Sequence, residues 1–348
     1  MNDFIKLTAA QKQTVLTQCR NMMGLPEQAV EKDYWVTVML QMIFDSELGE
    51  HLIFKGGTSL SKNGNLIDRF SEDIDLAVDY TFLGIDGEPT KKKLKKLRKA
   101  SSLFVKEKMT EVIKAQIEKF GLQDLLSVSV EPDGEGDSTY PEPRHIYIQY
   151  QPVAPTTLAY VKPMIVLETG ARSLMEPVEE INVKSIIETT LPQIGTDVAD
   201  VKIPTATPGK TFLEKVFLLH ELFSVDHDEL QANRRSRHLY DLEKMMDKDF
   251  AAAAIKNTEL WESIRRHREL FTSILGVDYS SDIRNRLCLV PSDKYIGDWK
   301  KDYQFMCDSM IYGEKLPFEK LVERMKELEK RFFLNPFTAK IENKMPQK

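Results

Sequence analysis

The chain has 348 residues, a mass of 40.1 kDa and a formal net charge of -6 at pH 7, with 42% hydrophobic and 29% charged residues. No window approaches the ~20 apolar residues of a membrane span. The acidic balance excludes a protein coated in positive charge for nucleic acid, though a local basic groove stays compatible with it.

The three cysteines, Cys19, Cys288 and Cys307, are far apart and odd in number. They fit no metal spacing and no disulfide framework, and a reducing, cytoplasmic setting is expected. The opening MNDFIKLTAAQKQ lacks the apolar core of a signal peptide, which leads to the same expectation.

In chain order, Ala9 to Arg20 reads as a helix. Pro26 opens a second one, EQAVEKDYWVTVMLQMIFDSEL, with Val30, Tyr34, Val36, Leu40 and Ile43 roughly on one side. HLIFKGG is a short buried strand ended by Gly56-Gly57. TSLSKN starts a helix with Thr58 or Ser59 as N-cap, and EDIDLAVDY is a strand. Lys91 to Phe120 forms one long charged helix stopped by Gly121. EPDGEGDSTYPEP is a loop that lacks the spacing and closing glutamate of a calcium loop. RHIYIQYQPV alternates like a half-buried strand, and KPMIVLETG is a continuous apolar strand closing on Glu168. Helical patterns dominate from Phe212 onward. The composition shift at PTATPG (204–209) divides the chain into a core with N-terminal helices, 1–205, and a helical region, 206–348. The expected fold class is α+β, a small mixed sheet with flanking helices.

Residues two apart on a strand share a face, with origins ~7 Å apart. Asp73 and Asp75 therefore face one way, and Ile74 and Leu76 the other. Two carboxylates this close repel unless a cation or solvent screens them. Magnesium takes one or two carboxylates together with substrate phosphates, and paired metals are the recurring device for nucleotidyl transfer. Upstream, Gly56 and Gly57 allow close backbone approach, and Thr58 and Ser59 sit at a helix start, where free N–H groups attract phosphate. Lys55 is either near those phosphates or simply a strand-end lysine. Glu168 would supply a third carboxylate from a neighbouring strand. A lone D-x-D also serves metal-dependent glycosyltransferases, and a lone Gly-Gly-Thr-Ser is often only a turn. The ordered combination points to a nucleotide and metal site.

The run FKGGTSLSK…RFSEDIDLAV resembles the AbiEii-type nucleotidyltransferases, toxins of type IV toxin–antitoxin and abortive-infection systems within the DNA polymerase beta-like superfamily. EKDYWVTVML, TFLEKVFLLHEL and RHLYDLEKM resemble further segments of that family, so the likeness covers roughly residues 31–246. The resemblance implies transfer of a nucleoside monophosphate from an NTP, with Mg2+ or Mn2+, onto an acceptor, foremost the tRNA 3′ end. It also implies a cognate antitoxin and a role in phage defence. Carried over by motif, Thr58 and Ser59 contact phosphates, Asp73 and Asp75 bind metals, and Lys215 and Asp241 match the later motif residues. Lys215 would neutralise charge on the triphosphate. Asp241 would orient Lys215, activate an acceptor hydroxyl or pair with Arg237. Family members often carry Arg-Asp where this chain has His238-Leu239.

Three basic clusters complete the reading: KKKLKKLRK (91–99), RRSRH (234–238) and RRHR (265–268). The first is a solvated helix face or a phosphate track. The second, just before Asp241, is the better candidate for touching RNA. Two other readings stay open: transfer to a small molecule or protein, and NTP binding without turnover.

Overall fold

The computed structural model describes residues 2–64, 66–87, 90–156, 161–195, 201–225 and 232–334. Residues 226–231 and 335–348 of the expected helical region lie outside them. The chain runs through β1 (Asn2–Asp3), α1 (Ala9–Met23), α2 (Glu27–Phe44), β2 (Leu52–Lys55), α3 (Gly56–Lys62) and β3 (Asp73–Val78). Next come α4 (Lys91–Phe104), α5 (Thr110–Lys119), β4 (Leu126–Val130), β5 (Arg144–Tyr150), β6 (Met164–Gly170), β7 (Val178–Asn182), α6 (Ile186–Thr190), β8 (Ile194–Gly195) and β9 (Lys202–Ala206). Seven strands form one mixed sheet in the order β4-β5-β6-β3-β2-β9-β7. β3 runs parallel to β6 and β2 parallel to β9, and the other pairs are antiparallel. β1 and β8 pair separately. This is the α+β architecture that the patterns predict.

Several local readings change. PTATPG is no simple connector: Pro204–Ala206 belong to β9, which is hydrogen-bonded on both sides. The expected single helix over 91–120 is interrupted by a π-helical turn, Val105–Met109. The Thr110 hydroxyl donates to the Val105 carbonyl at 2.8 Å across that wide turn. Helix α2 is buried on every side from Gln28 to Phe44, where one apolar stripe was expected. It packs on β3, β6 and β9 and against α1, α5 and α6. Its charged residues survive there because each is bonded. Glu31 accepts the N–H groups of Val153 and Ala154, at 2.8 and 2.9 Å. Lys32 pairs with Glu72 at 2.6 Å. Asp33 accepts from Lys62 Nζ and the Ile186 N–H, both at 2.6 Å.

The remaining helices are α7 (Pro208–Phe223), α8 (Arg237–Met245), α9 (Asp249–Lys256), α10 (Thr258–Phe271), α11 (Ile296–Ser309) and α12 (Phe318–Phe333). The chain divides into two units, Met1–Thr211 with Gln304–Lys315, and Phe212–Tyr303 with Leu316–Lys348. The first holds the sheet. The second is helical and is centred on Phe217, Trp261 and Phe332, with Trp261 ring centroids 4.5 and 5.3 Å from the two phenylalanines. Helix α12 follows the amphipathic spacing expected of a surface helix, burying Phe318, Leu321, Val322, Met325, Leu328 and Phe332. Among the described residues, no helix is long and apolar enough to cross a membrane.

Candidate active site

β3 alternates as D-I-D-L requires. Ile74 and Leu76 are fully buried, whereas Asp73 and Asp75 are half-buried on the opposite face. The strand register then assembles a row. Asp75 is the cross-strand partner of Lys55 on β2 and of Glu168 on β6, and Glu168 is the partner of His145 on β5. Cross-strand partners present their side chains to one face. Lys55, Asp75, Glu168 and His145 therefore stand side by side on four adjacent strands.

Gly56 makes room for this row. Its φ is +79, and a Cβ there would fall 1.9 Å from Asp75 Oδ2. Only glycine permits both that backbone angle and that approach. Gly57 is constrained in turn by the Arg69 guanidinium, 2.7 Å from where its Cβ would be. Helix α3 begins at Gly56 with Lys55 at the N-cap, so neither Thr58 nor Ser59 caps it. Their hydroxyls, both buried, are used elsewhere. Thr58 Oγ1 donates to the Asp73 carbonyl and lies 2.9 Å from the Ser71 hydroxyl. Ser59 Oγ donates to the Gly56 carbonyl at 2.9 Å. The Thr58 bond ties the glycine turn to the start of the D-x-D strand.

His145 was not picked out from the sequence. Its Nδ1 lies 2.8 Å from Glu131 Oε2, and its Nε2 lies 3.6 Å from Glu168 Oε2. The Glu168 and Glu131 carboxylates raise its pKa to about 9, so it is an imidazolium at neutral pH. The alternation of RHIYIQY does put His145 on the half-buried face. The strand order that brings it to Glu168 is not written in that segment.

Among the described residues, no group of three or more His, Cys, Asp or Glu is gathered tightly enough to cage a metal. Asp73, Asp75 and the adjacent Glu168 nevertheless fit a magnesium-type ion. The donors are all carboxylate oxygens, and such an ion completes its shell with water and substrate phosphates and needs only one or two protein carboxylates.

In the second unit, Lys215 on α7 and Asp241 on α8 form a buried ion pair, Nζ to Oδ2 at 2.9 Å. Lys215 Nζ also lies 3.3 Å from His238 Nδ1. Lys215 is therefore no solvent-facing helix lysine, and Asp241 is bonded to it. The basic clusters differ in what they leave exposed. In RRSRH, the backbone N–H groups of Arg234 and Ser236 donate to the Asp302 carboxylate at 2.7 and 2.9 Å, and Arg235 is exposed. In RRHR, Arg265 is held by Glu262 and Glu269, and Arg268 by Glu221. Arg266 between them is exposed, so this cluster too leaves one arginine to solvent. On α4, Lys92, Lys95, Lys96 and Lys99 are exposed at helical spacing and form one basic face.

Among curated proteins, none matches this chain. The chain is similar in structure to MenT4, a nucleotidyltransferase toxin from Mycobacterium tuberculosis, at 15% identity and TM-score 0.46, over 94% of this chain and 99% of that one. It is also similar to JHP933 from Helicobacter pylori, at 13% identity and TM-score 0.43, over 89% of this chain and 94% of the other. The family model described as "Nucleotidyl transferase AbiEii toxin, Type IV TA system" matches residues 38–324. The chain accordingly belongs to the AbiEii family of nucleotidyltransferase toxins from type IV toxin–antitoxin systems.

Proposed function

We propose that this nucleotidyltransferase transfers a nucleoside monophosphate from an NTP to the 3′ end of tRNA, in the cytoplasm, as a growth-arresting toxin countered by a cognate antitoxin and serving phage defence. The observation that carries the reading is the juxtaposition of Asp75 with Glu168 beneath a glycine that has no room for a side chain. Asp73 and Asp75, with Glu168 as third carboxylate, would hold Mg2+ or Mn2+. The ion would supply positive charge against the triphosphate. Gly56 and Gly57 would let the backbone approach the phosphates, with Lys55 beside them, while the buried hydroxyls of Thr58 and Ser59 would hold the shape of the turn. Lys215 and Asp241, an ion pair within the second unit, are carried over from the family motif as further catalytic residues.

In the reaction, an acceptor hydroxyl oxygen forms a bond to the α-phosphorus as the α–β bridging bond breaks. Pyrophosphate leaves with that electron pair. The hydroxyl proton passes to a carboxylate of the Asp75–Glu168 pair. The exposed arginine of RRSRH and the lysine face of α4 favour an RNA acceptor, because phosphate contacts need surface cations.

The test is a transfer assay with total tRNA, magnesium and each α-labelled NTP in turn, run beside Asp73→Ala and Asp75→Ala. Label on RNA from one NTP, absent with both folded variants, is the expected result. Full transfer by both variants would refute the metal-site reading. Label on protein or on a small molecule alone would refute the RNA acceptor. NTP binding with no product on any acceptor would favour a binding module.

A further inference from the structure

We infer that Tyr147, with the His145 ring beside it, is the platform on which the last base of the RNA acceptor stacks when its hydroxyl meets Asp75 and Glu168. This rests on the proposed transfer to RNA.

Strand alternation gives β5 and β6 two unlike faces. Ile146, Ile148 and Tyr150 are buried on one of them, where Trp35 of α2 stacks on Tyr150 with ring centroids 5.7 Å apart. The opposite face carries the carboxylates and is less covered. Val166, His145 and Tyr147 are half-buried there, and Gln149 and Ser129 are exposed.

Register fixes the neighbours on this face. The row Lys55, Asp75, Glu168, His145 is followed, two residues along, by the row Asp73, Val166, Tyr147, Ser129. Tyr147 is therefore the diagonal neighbour of Glu168, about 7–8 Å away across the strand pair. Its ring is nearly parallel to that of His145, at 17° with centroids 6.1 Å apart. Glu131 fixes the histidine, because its Oε2 lies 2.8 Å from Nδ1 and accepts the His145 backbone N–H at 3.0 Å. The two rings form one aromatic strip beside the carboxylates.

The reaction decides what lies on that strip. In an in-line displacement, the attacking and leaving oxygens stand on opposite sides of the phosphorus. With the triphosphate at Gly56 and Gly57, pyrophosphate leaves on the β2 side of Asp75. The acceptor hydroxyl then approaches from the other side, over β6 and β5. The base joined to that hydroxyl's ribose reaches β5, where the rings are. Unpaired bases at RNA ends stack on tyrosine and histidine in this way. Every base has a π-face, so such a strip holds the end without reading its sequence.

The experiment measures KM for tRNA and for the NTP, in the assay above, for the wild type, Tyr147→Leu and Tyr147→Phe, with thermal melting of each. Filter binding without NTP compares tRNA with the same tRNA lacking its 3′-terminal nucleotide. Leucine keeps apolar volume without a ring, and phenylalanine keeps the ring. The expected result is a tRNA KM about 5- to 100-fold higher for Tyr147→Leu, an NTP KM within about threefold, and recovery of most of the loss in Tyr147→Phe. Removing the terminal nucleotide should weaken wild-type binding by a similar factor and Tyr147→Leu binding hardly at all, since the stacked pair is already lost. An unchanged tRNA KM in Tyr147→Leu, equal loss in the leucine and phenylalanine variants, or a raised KM for the NTP alone would overturn the inference. Wild-type protein that binds both RNAs equally would overturn it even if Tyr147→Leu failed to fold. An inactive Asp75→Ala beside any of these results would leave the transfer reaction standing. A fully active Asp75→Ala would remove that reading, and this inference with it.

Discussion

At the scale of single residues, Gly56 carries the sharpest consequence. An alanine there meets the Asp75 carboxylate and must also adopt a φ of +79. The backbone alone costs about 1–2 kcal/mol, which a folded domain tolerates, but Asp75 has to move. Gly56→Ala is therefore expected to stay folded by circular dichroism and to lose transfer activity more than about 100-fold. Gly64 has a similar φ of +66 but nothing within 4 Å of its Cβ position. Gly64→Ala should keep most activity, and equal loss in the two variants would contradict the Asp75 explanation.

Glu142 is the second such residue. Burial pushes its carboxyl up to about 7, although Oε1 accepts the Ala171 N–H at 2.7 Å. Its Oε2 is buried and has no hydrogen-bond partner among the described residues. A carboxyl whose folded pKa is raised stabilises the fold below the ordinary value of 4.5, and that stability is lost as pH rises through about 7. Glu142→Gln, neutral throughout, should match the wild type near pH 4 and exceed it at pH 8 by about 1–3 kcal/mol. Urea midpoints at the two pH values check this, and a pH-independent difference would argue against it.

At the scale of elements, α2 shows what a polar motif can do inside a protein. EKD looks like the polar start of a surface helix, and first-turn acids alone would explain it. Instead its three charges bond three separate parts of the chain: the 153–154 loop, Glu72 beside the D-x-D strand, and Lys62 with the start of α6. A cavity of about 240 Å3 lies beside this hub, lined by Asp33, Lys62, Arg69, Ser71 and Tyr312 among others. Lys62 there donates to Asp33, to the Thr37 hydroxyl and to the Lys184 carbonyl. Breaking one partner of a buried pair leaves the other charge uncompensated. Lys32→Met should lower stability by about 3–5 kcal/mol, and Lys32→Met with Glu72→Leu should recover much of it. Chemical denaturation of the three proteins measures this. A loss under 1 kcal/mol in the single variant would mean that the pair is solvated in solution.

At the scale of the whole molecule, the first unit is completed by a segment from far down the chain. Residues 310–313 return to residues 68–70, just before the D-x-D strand. The Phe70 N–H donates to the Met310 carbonyl at 2.8 Å, Arg69 bridges to Ile311, and the Tyr312 N–H donates to the Asp68 carbonyl at 3.1 Å. Ile311 is 6% exposed. Ile311→Ala is expected to cost about 2–4 kcal/mol and to lower the temperature at which transfer activity is lost. Activity and melting unchanged by the substitution would show that the segment does not support the site.

Legibility divides along the same line. The pairing of Asp73 with Asp75 on one face, the glycine turn before them and the helical character after Phe212 follow from local periodicity, which a strand or a helix imposes on its own residues. The sequence by itself thus determined which groups could carry the chemistry. Only the tertiary structure decided which of them meet. Strand order puts Glu168 and His145 beside Asp75, helix packing puts His238 against Lys215, and burial turns EKD into a hub. Those contacts join segments distant in sequence, and no local pattern encodes which distant segment will supply the neighbour. That choice is made when the apolar faces of α2 and the sheet leave water together, and the polar residues carried inside must find partners wherever packing has placed them.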